Sequence, residues 1–232
     1  MDGENVIMDS KRICMRQFLN DAVKPWDELN VLLAKPFAYQ PEISDVTRMA
    51  NSIAVAIKHQ SEHWGSTRLQ VDNESLANSL MSDVADGWKH GGQKLRDHTR
   101  HNRMEVVSRF EVDEANRFRF VRNRILIAHA SLGNVDFMVY ARDAMRYWFQ
   151  KMDVAIEWGG QLLSGPLLFH ENATVFYDSR QQIGMDSVRI EMVRRSANGA
   201  FQLIDVESIK FVLLDSREHG FDWRSELIAD YE

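Results

Sequence analysis

Asp83, Asp86 and His90 stand at i, i+3 and i+7, and at about 100° per helical residue they fall within one narrow arc of a helix. Two carboxylates and an imidazole so placed could hold a divalent metal ion, or Asp86 could orient His90 as a general base. The same residues also describe the polar border of a bundle helix, where Asp86 and His90 make an ordinary i, i+4 contact. Around and beyond them, Lys89, Lys94, Arg96, Arg100 and Arg103 arrive with His98 and His101 about the pair Gly91-Gly92, against Asp97 as the one acid. Glycines free the backbone there, and clustered Lys and Arg in such a loop suit phosphate.

Arg117 and Arg119 alternate with Phe118 and Phe120. In a strand this alternation sends the guanidinium groups to one face and the rings to the other, where they are expected to pack as core. A basic sheet face beside a basic loop could follow the backbone of RNA or DNA, or it could pair with carboxylates of the acidic C-terminal segment.

Two shorter patterns carry chemistry of their own. The stretch RNRILIAH, Arg122 to His129, resembles the arginine-to-histidine signature of HEPN ribonucleases, and both Arg122 and Arg124 satisfy its spacing. The resemblance covers eight residues. It implies a pair such as Arg124 and His129 acting on a scissile RNA phosphate, from a helix of a dimer, whereas the flanking pattern here is that of a strand. HQSEH, His59 to His63, is similar to the H-x-x-E-H order of inverted zinc peptidases, with Glu62 as the water-polarising residue and Glu74 or Glu105 as a third ligand. These side chains lie away from the stripe of Ile53, Ile57 and Trp64, so they are expected to face solvent. The chain contains no G-x-G-x-x-G, Walker loop, G-x-S-x-G or paired C-x-x-C, and no organic cofactor is expected. No family resemblance extends over the whole chain.

The elements that must position these residues fall into two halves. Met15, Phe18, Leu19, Ala22, Trp26, Leu29 and Leu33 recur at helical intervals, with Pro25 either kinking the helix or opening a second one. Ile43, Val46, Ala50, Ile53, Ile57 and Trp64 define a helix ending at Gly65, and Leu76, Leu80, Val84 and Trp88 form the apolar stripe of a third, over about 73–90. After Gly91-Gly92 the period changes to two, and 105–112 and 117–129 read as a hairpin about Asp113-Glu114-Ala115-Asn116. Met138, Ala141, Met145, Trp148 and Met152 predict a covering helix. ATVFYD, SVRIEMVRR, FQLIDV and KFVLLD predict strands, the last with helical character as an alternative, with a turn at Asn198-Gly199 and a short helix from Asp222. The expected class is α+β: about three bundled helices over 1–92, then a mostly antiparallel sheet with one covering helix over 93–232, the two forming separate regions or one continuous domain.

With 232 residues, 44% hydrophobic and 27% charged, the chain can bury a core without disulfides. Its one cysteine, Cys14, and an N-terminus without a secretory pattern lead to an expectation of a reducing, cytoplasmic location. A net charge of −6 excludes a protein that coats nucleic acid over its whole surface, yet the basic residues concentrate between Lys89 and Arg124. The leading expectation is therefore a polyanion-binding, nucleic-acid-binding protein that holds phosphates with Lys89, Lys94, Arg96, Arg100, Arg103, Arg117 and Arg119. One alternative is a protein-protein interaction or assembly module without catalysis, for which six Trp and eleven Met supply contact surface. Another is a nuclease, metal-dependent through Asp83, Asp86 and His90, or metal-free through Arg124 and His129. Whether the chain is an enzyme is left open by its sequence.

Overall fold

A computed structural model describes residues 11–37, 42–89, 103–129, 131–154, 157–177, 189–205, 209, 211–215 and 228–230. His90, Lys94, Arg96, His98, Arg100 and His101 lie outside the described residues, as does residue 222 with its predicted helix start. The fold is α+β: N-terminal helices precede a mixed, mostly antiparallel set of strands, with one further helix between them.

The first helix, α1 (residues 11–18), runs through a π-turn at Leu19–Val23 into α2 (Lys24–Leu33). Pro25 is the physical reason for the π-turn. A proline has no N–H to give the carbonyl four residues back and its ring crowds that carbonyl, so the chain widens by one residue ahead of it. The Lys24 N–H accordingly reaches Leu19 O, five residues back. Of the predicted stripe, Phe18, Ala22, Trp26, Leu29 and Leu33 are fully covered, while Met15 and Leu19 are half-buried.

Helix α3 (Glu42–His63) buries Val46, Ala50, Ile53 and Ile57, and α4 (Arg68–Glu74), a short helix the apolar period does not predict, is divided from α5 (Leu76–Lys89), the helix expected over about 73–90. The division falls at Ser75, whose extended backbone ends α4 and whose Oγ accepts the Asn78 N–H at 3.2 Å in the first turn of α5. Helix α6 (Phe137–Lys151) starts on Asp136, whose carboxylate accepts the Met138 N–H at 2.9 Å.

The strands are β1 (Arg103–Val112), β2 (Phe118–His129), β3 (Gly133–Asp136), β4 (Leu162–Ser164), β5 (Ala173–Tyr177), β6 (Arg189–Arg195), β7 (Phe201–Leu203), β8 (Phe211–Asp215) and β9 (Ile228–Asp230). The largest sheet has the order β3-β2-β1-β6-β7. The expected hairpins are present, β1 to β2 about Asp113 and β6 to β7 about Gly199, which holds φ +86°. Among the described strands two pairings are parallel, β1 with β6 and β5 with β8. The described end of the chain, β9, pairs antiparallel with β4.

The chain divides into two compact units interleaved in sequence: unit 1 comprises 1–29, 48–103 and 127–160, and unit 2 comprises 30–47, 104–126 and 161–232. In unit 1, α6 packs on α5 and on β3. Two of its buried indoles are satisfied in place: Trp26 Nε1 donates to Met138 O at 3.1 Å, and Trp148 Nε1 donates to Asn78 Oδ1 at 2.7 Å. At its surface, Glu74 of α4 accepts from Lys151 at 2.7 Å and from the Tyr147 hydroxyl at 2.8 Å, and Gln70 adds a third bond at 3.1 Å. These bonds, that from Lys151 first, hold the Glu74 carboxyl at about 2. Because the folded value lies below the ordinary one of 4.5, the clamp contributes fully above pH 4.5 and is lost as pH falls toward 2. A carboxyl-resolved NMR titration should therefore show Glu74 ionised through pH 3 to 4, where unclamped glutamates protonate. In Lys151→Ala the transition should move up toward the ordinary range.

In unit 2, the segment after β4 lines the N-terminal half of β2. Gly165 N–H donates to Val121 O at 2.7 Å, and Phe118 and His170 exchange backbone bonds of 2.7 and 2.8 Å. Gly165 is required there, since a Cβ would sit 2.8 Å from the Phe120 carbonyl oxygen. Gly165→Ala should thus cost about 1–3 kcal/mol in urea unfolding, whereas a cost near zero would mean that this segment yields freely.

Candidate functional site

Unit 1 carries a polar groove of about 720 Å³, bounded by the α1 to α2 segment, by α3 and by the last turn of α5. The π-turn contributes Asn20 and Asp21, and α3 contributes Ser52, His59, Gln60 and His63, spread along about three turns of one side of the helix. Trp88 closes the groove from α5 and remains 55% exposed. It sits on the predicted apolar stripe, but only Leu80 and Val84 of that stripe are covered, while Leu76 and Trp88 at its two ends are open to solvent.

The groove offers hydrogen-bonding groups of the amide and imidazole kind. Gln60 is 4% exposed; its Nε2 donates to Ala56 O at 3.0 Å, and its buried Oε1 has no partner among the described residues. His59 Nδ1 lies 3.2 Å from Glu62 Oε2, a contact that leaves its Nε2 available. Lys11, Arg12 and Arg16 of α1 make no ion pair among the described residues; Lys11 lies 6.0 Å from the centre of the Trp64 ring.

The other sequence candidates are distributed as follows. Asp83 and Asp86 of α5 are buried in a basic setting. Arg68 of α4 donates to Asp86 at 2.7 Å and lies 3.7 Å from Asp83, while Lys58 of α3 binds the other Asp86 oxygen. Burial alone would raise the Asp86 carboxyl, but the hydrogen bonds from Lys58 and Arg68 outweigh it and hold the group below its usual range. His129 lies 3.5 Å from Asp83 through Nε2, and its Nδ1 accepts the N–H groups of Ser131 and Leu132, each at 3.3 Å. Both ring nitrogens are engaged, so acting as a base would require the imidazole to leave these partners. Among the described residues no three His, Cys, Asp or Glu side chains converge as metal ligands.

In unit 2 the arginines of the hairpin are held by carboxylates and carbonyls. Arg119 is 1% exposed and donates to Glu111 through Nε and a terminal nitrogen at 3.0 and 2.6 Å. Arg122 is 2% exposed and donates to Leu163 O at 3.0 Å. Arg124 lies 3.6 Å from Glu191, and Arg117 at the turn lies 2.8 Å from Asp113. Of the remaining phosphate candidates, Lys89 ends α5 and Arg103 begins β1. The apolar period of α5 places Trp88 in the core, and no motif marks Gln60, Asn20 or the groove-lining Gln17; the signal within reach is the H-x-x-E-H spacing, which puts His59 and His63 on one exposed face.

Comparison with protein-family models, curated proteins and solved structures finds no match to this chain. Among the described residues no helix is long and apolar enough to cross a membrane.

Proposed function

We propose that this protein binds single-stranded nucleic acid, with unpaired bases entering the groove of unit 1 and phosphates held by the basic segment that follows it in sequence. The observation that carries the reading is Trp88: an indole 55% exposed at the edge of a polar groove, one residue before a run with Lys89, Lys94, Arg96, Arg100 and Arg103. An aromatic face takes any base by stacking, and a neighbouring positive charge follows the backbone, which is the pairing that sequence-tolerant single-strand binders use. The amide of Gln60 and the imidazoles of His59 and His63 then meet base edges. Arg117 and Arg119 have no part in this reading, since Asp113 and Glu111 already hold them. A duplex is a poorer fit, because stacking on Trp88 needs an exposed base face.

The test is fluorescence anisotropy with labelled single-stranded RNA, single-stranded DNA and duplex of equal length at low salt. Binding should favour the single strands and be weakened by Trp88→Ala. Equal affinity for duplex, or no affinity for any of the three, would remove the reading. A cytoplasmic location belongs with it, as the single half-buried Cys14 is compatible with a reducing compartment.

A further inference from the structure

Unit 2 contains a separate cavity of about 290 Å³, walled by the rings of Phe110, Phe118, Phe120 and Phe176. Phe110 and Phe120 meet edge to face with centroids 5.5 Å apart, so the wall presents both ring edges and ring faces. Packed interiors leave few voids larger than a water molecule, and this one is about twice the roughly 150 Å³ apolar cavity that takes up benzene. Three polar side chains join the lining: His170, Asn172 and Thr174. None of the three makes a side-chain hydrogen bond among the described residues. Part of the backbone beside them is already paired. His170 exchanges both its backbone bonds with Phe118, and Phe176 N–H donates to Pro36 O at 2.7 Å. The three side chains offer polar recognition at this cavity and the phenyl rings apolar recognition, which is the division of labour of a small-molecule pocket.

We infer that this cavity binds a planar aromatic molecule of about two rings bearing one hydrogen-bonding group, the ring system lying among the phenylalanines and the polar group meeting His170, Asn172 or Thr174. The site lies wholly within unit 2 and shares no lining residue with the groove of unit 1.

The experiment is calorimetric titration of the intact protein with 2-naphthol, with octanoate as the acyl comparison. Saturable binding of 2-naphthol with one site per chain is expected. Thr174→Phe, which fills the cavity, should weaken it by about tenfold or more, with an unchanged circular dichroism spectrum. Should that variant fail to fold, Leu168→Trp at the 57% exposed rim gives the same obstruction. His170→Ala combined with Asn172→Ala should weaken 2-naphthol more than naphthalene, as measured by equilibrium dialysis. The assignment is overturned if 2-naphthol shows no saturable binding up to about 1 mM. It is also overturned if the filling variants bind 2-naphthol as the unaltered protein does, or if octanoate binds the more tightly.

Discussion

The affinity of this protein for a labelled single strand of about 20 nucleotides should fall roughly 100-fold as salt rises from about 50 to about 200 mM. The size of the effect follows from the charge in the segment after Trp88. Lys89, Lys94, Arg96, Arg100 and Arg103 carry five positive charges against the one negative charge of Asp97. Each phosphate neutralised on a single strand contributes about −0.7 to the slope of log affinity against log salt, so five give about −3.5, and a fourfold rise in salt removes about two decades. Replacing Lys94 and Arg96 by Ala should reduce the slope by about 1.4. Trp88→Ala acts on the other component. Base stacking on an aromatic side chain is worth about 1–3 kcal/mol, so affinity should fall about 5- to 150-fold with the slope unchanged, because an indole neutralises no phosphate. A slope that persists after the Lys94 and Arg96 replacements would place the contacts elsewhere on the chain. A Trp88→Ala variant that binds as well as the original would leave the groove without a role.

The second large effect is on stability. Glu111→Ala should destabilise the protein by about 3–5 kcal/mol, because it strands a buried guanidinium. Glu111 on β1 takes two bonds from Arg119 on β2 through one oxygen, and its other oxygen lies 3.3 Å from Arg195 of β6. Arg195 is held in turn over the Phe201 ring, 4.1 Å from its centre. Arg119 has one further bond, to Gly165 O at 3.3 Å, which cannot balance a full charge at 1% exposure. For a chain of this size the loss corresponds to a fall of about 6–20 °C in Tm. Replacing both partners, Glu111→Leu with Arg119→Met, should recover most of the loss, since a well-packed apolar pair has no desolvated charge to satisfy. Thermal and urea unfolding of Glu111→Leu, Arg119→Met and the double close the cycle. Additive losses in the double variant would show that Glu111 and Arg119 act separately and that their pairing is incidental.

The period of apolar residues was enough to give the α+β class and most of its elements. Phe18 through Leu33 and Val46 through Ile57 are buried as their helical spacing predicts, and the alternation across 105–112 and 118–129 with Asp113 between them yields the β1 to β2 hairpin. These are legible because they depend on neighbours within a few residues: helical periodicity, strand alternation, and turn chemistry such as Asn198-Gly199. The chain alone also marked His59 and His63 as sharing an exposed helical face, and Lys89 to Arg103 as the place where positive charge collects.

What only the tertiary structure decided is who meets whom over long separations. That β1 lies parallel to β6, with Val107 opposite Arg189, cannot be read from either strand, because both alternate equally well in either direction. Arg119 alternates with phenylalanines as an exposed cation would, yet it is buried because Glu111 and Gly165 O converge on it. Asp83 and Asp86, paired on one helical arc, are held by Lys58 and Arg68 from other helices. Trp88 lies on the same arc as Leu80 and Val84, but periodicity fixes only the direction in which a side chain points. Whether another element stands opposite it is a property of the fold, and at Trp88 the indole is left open at the edge of the groove.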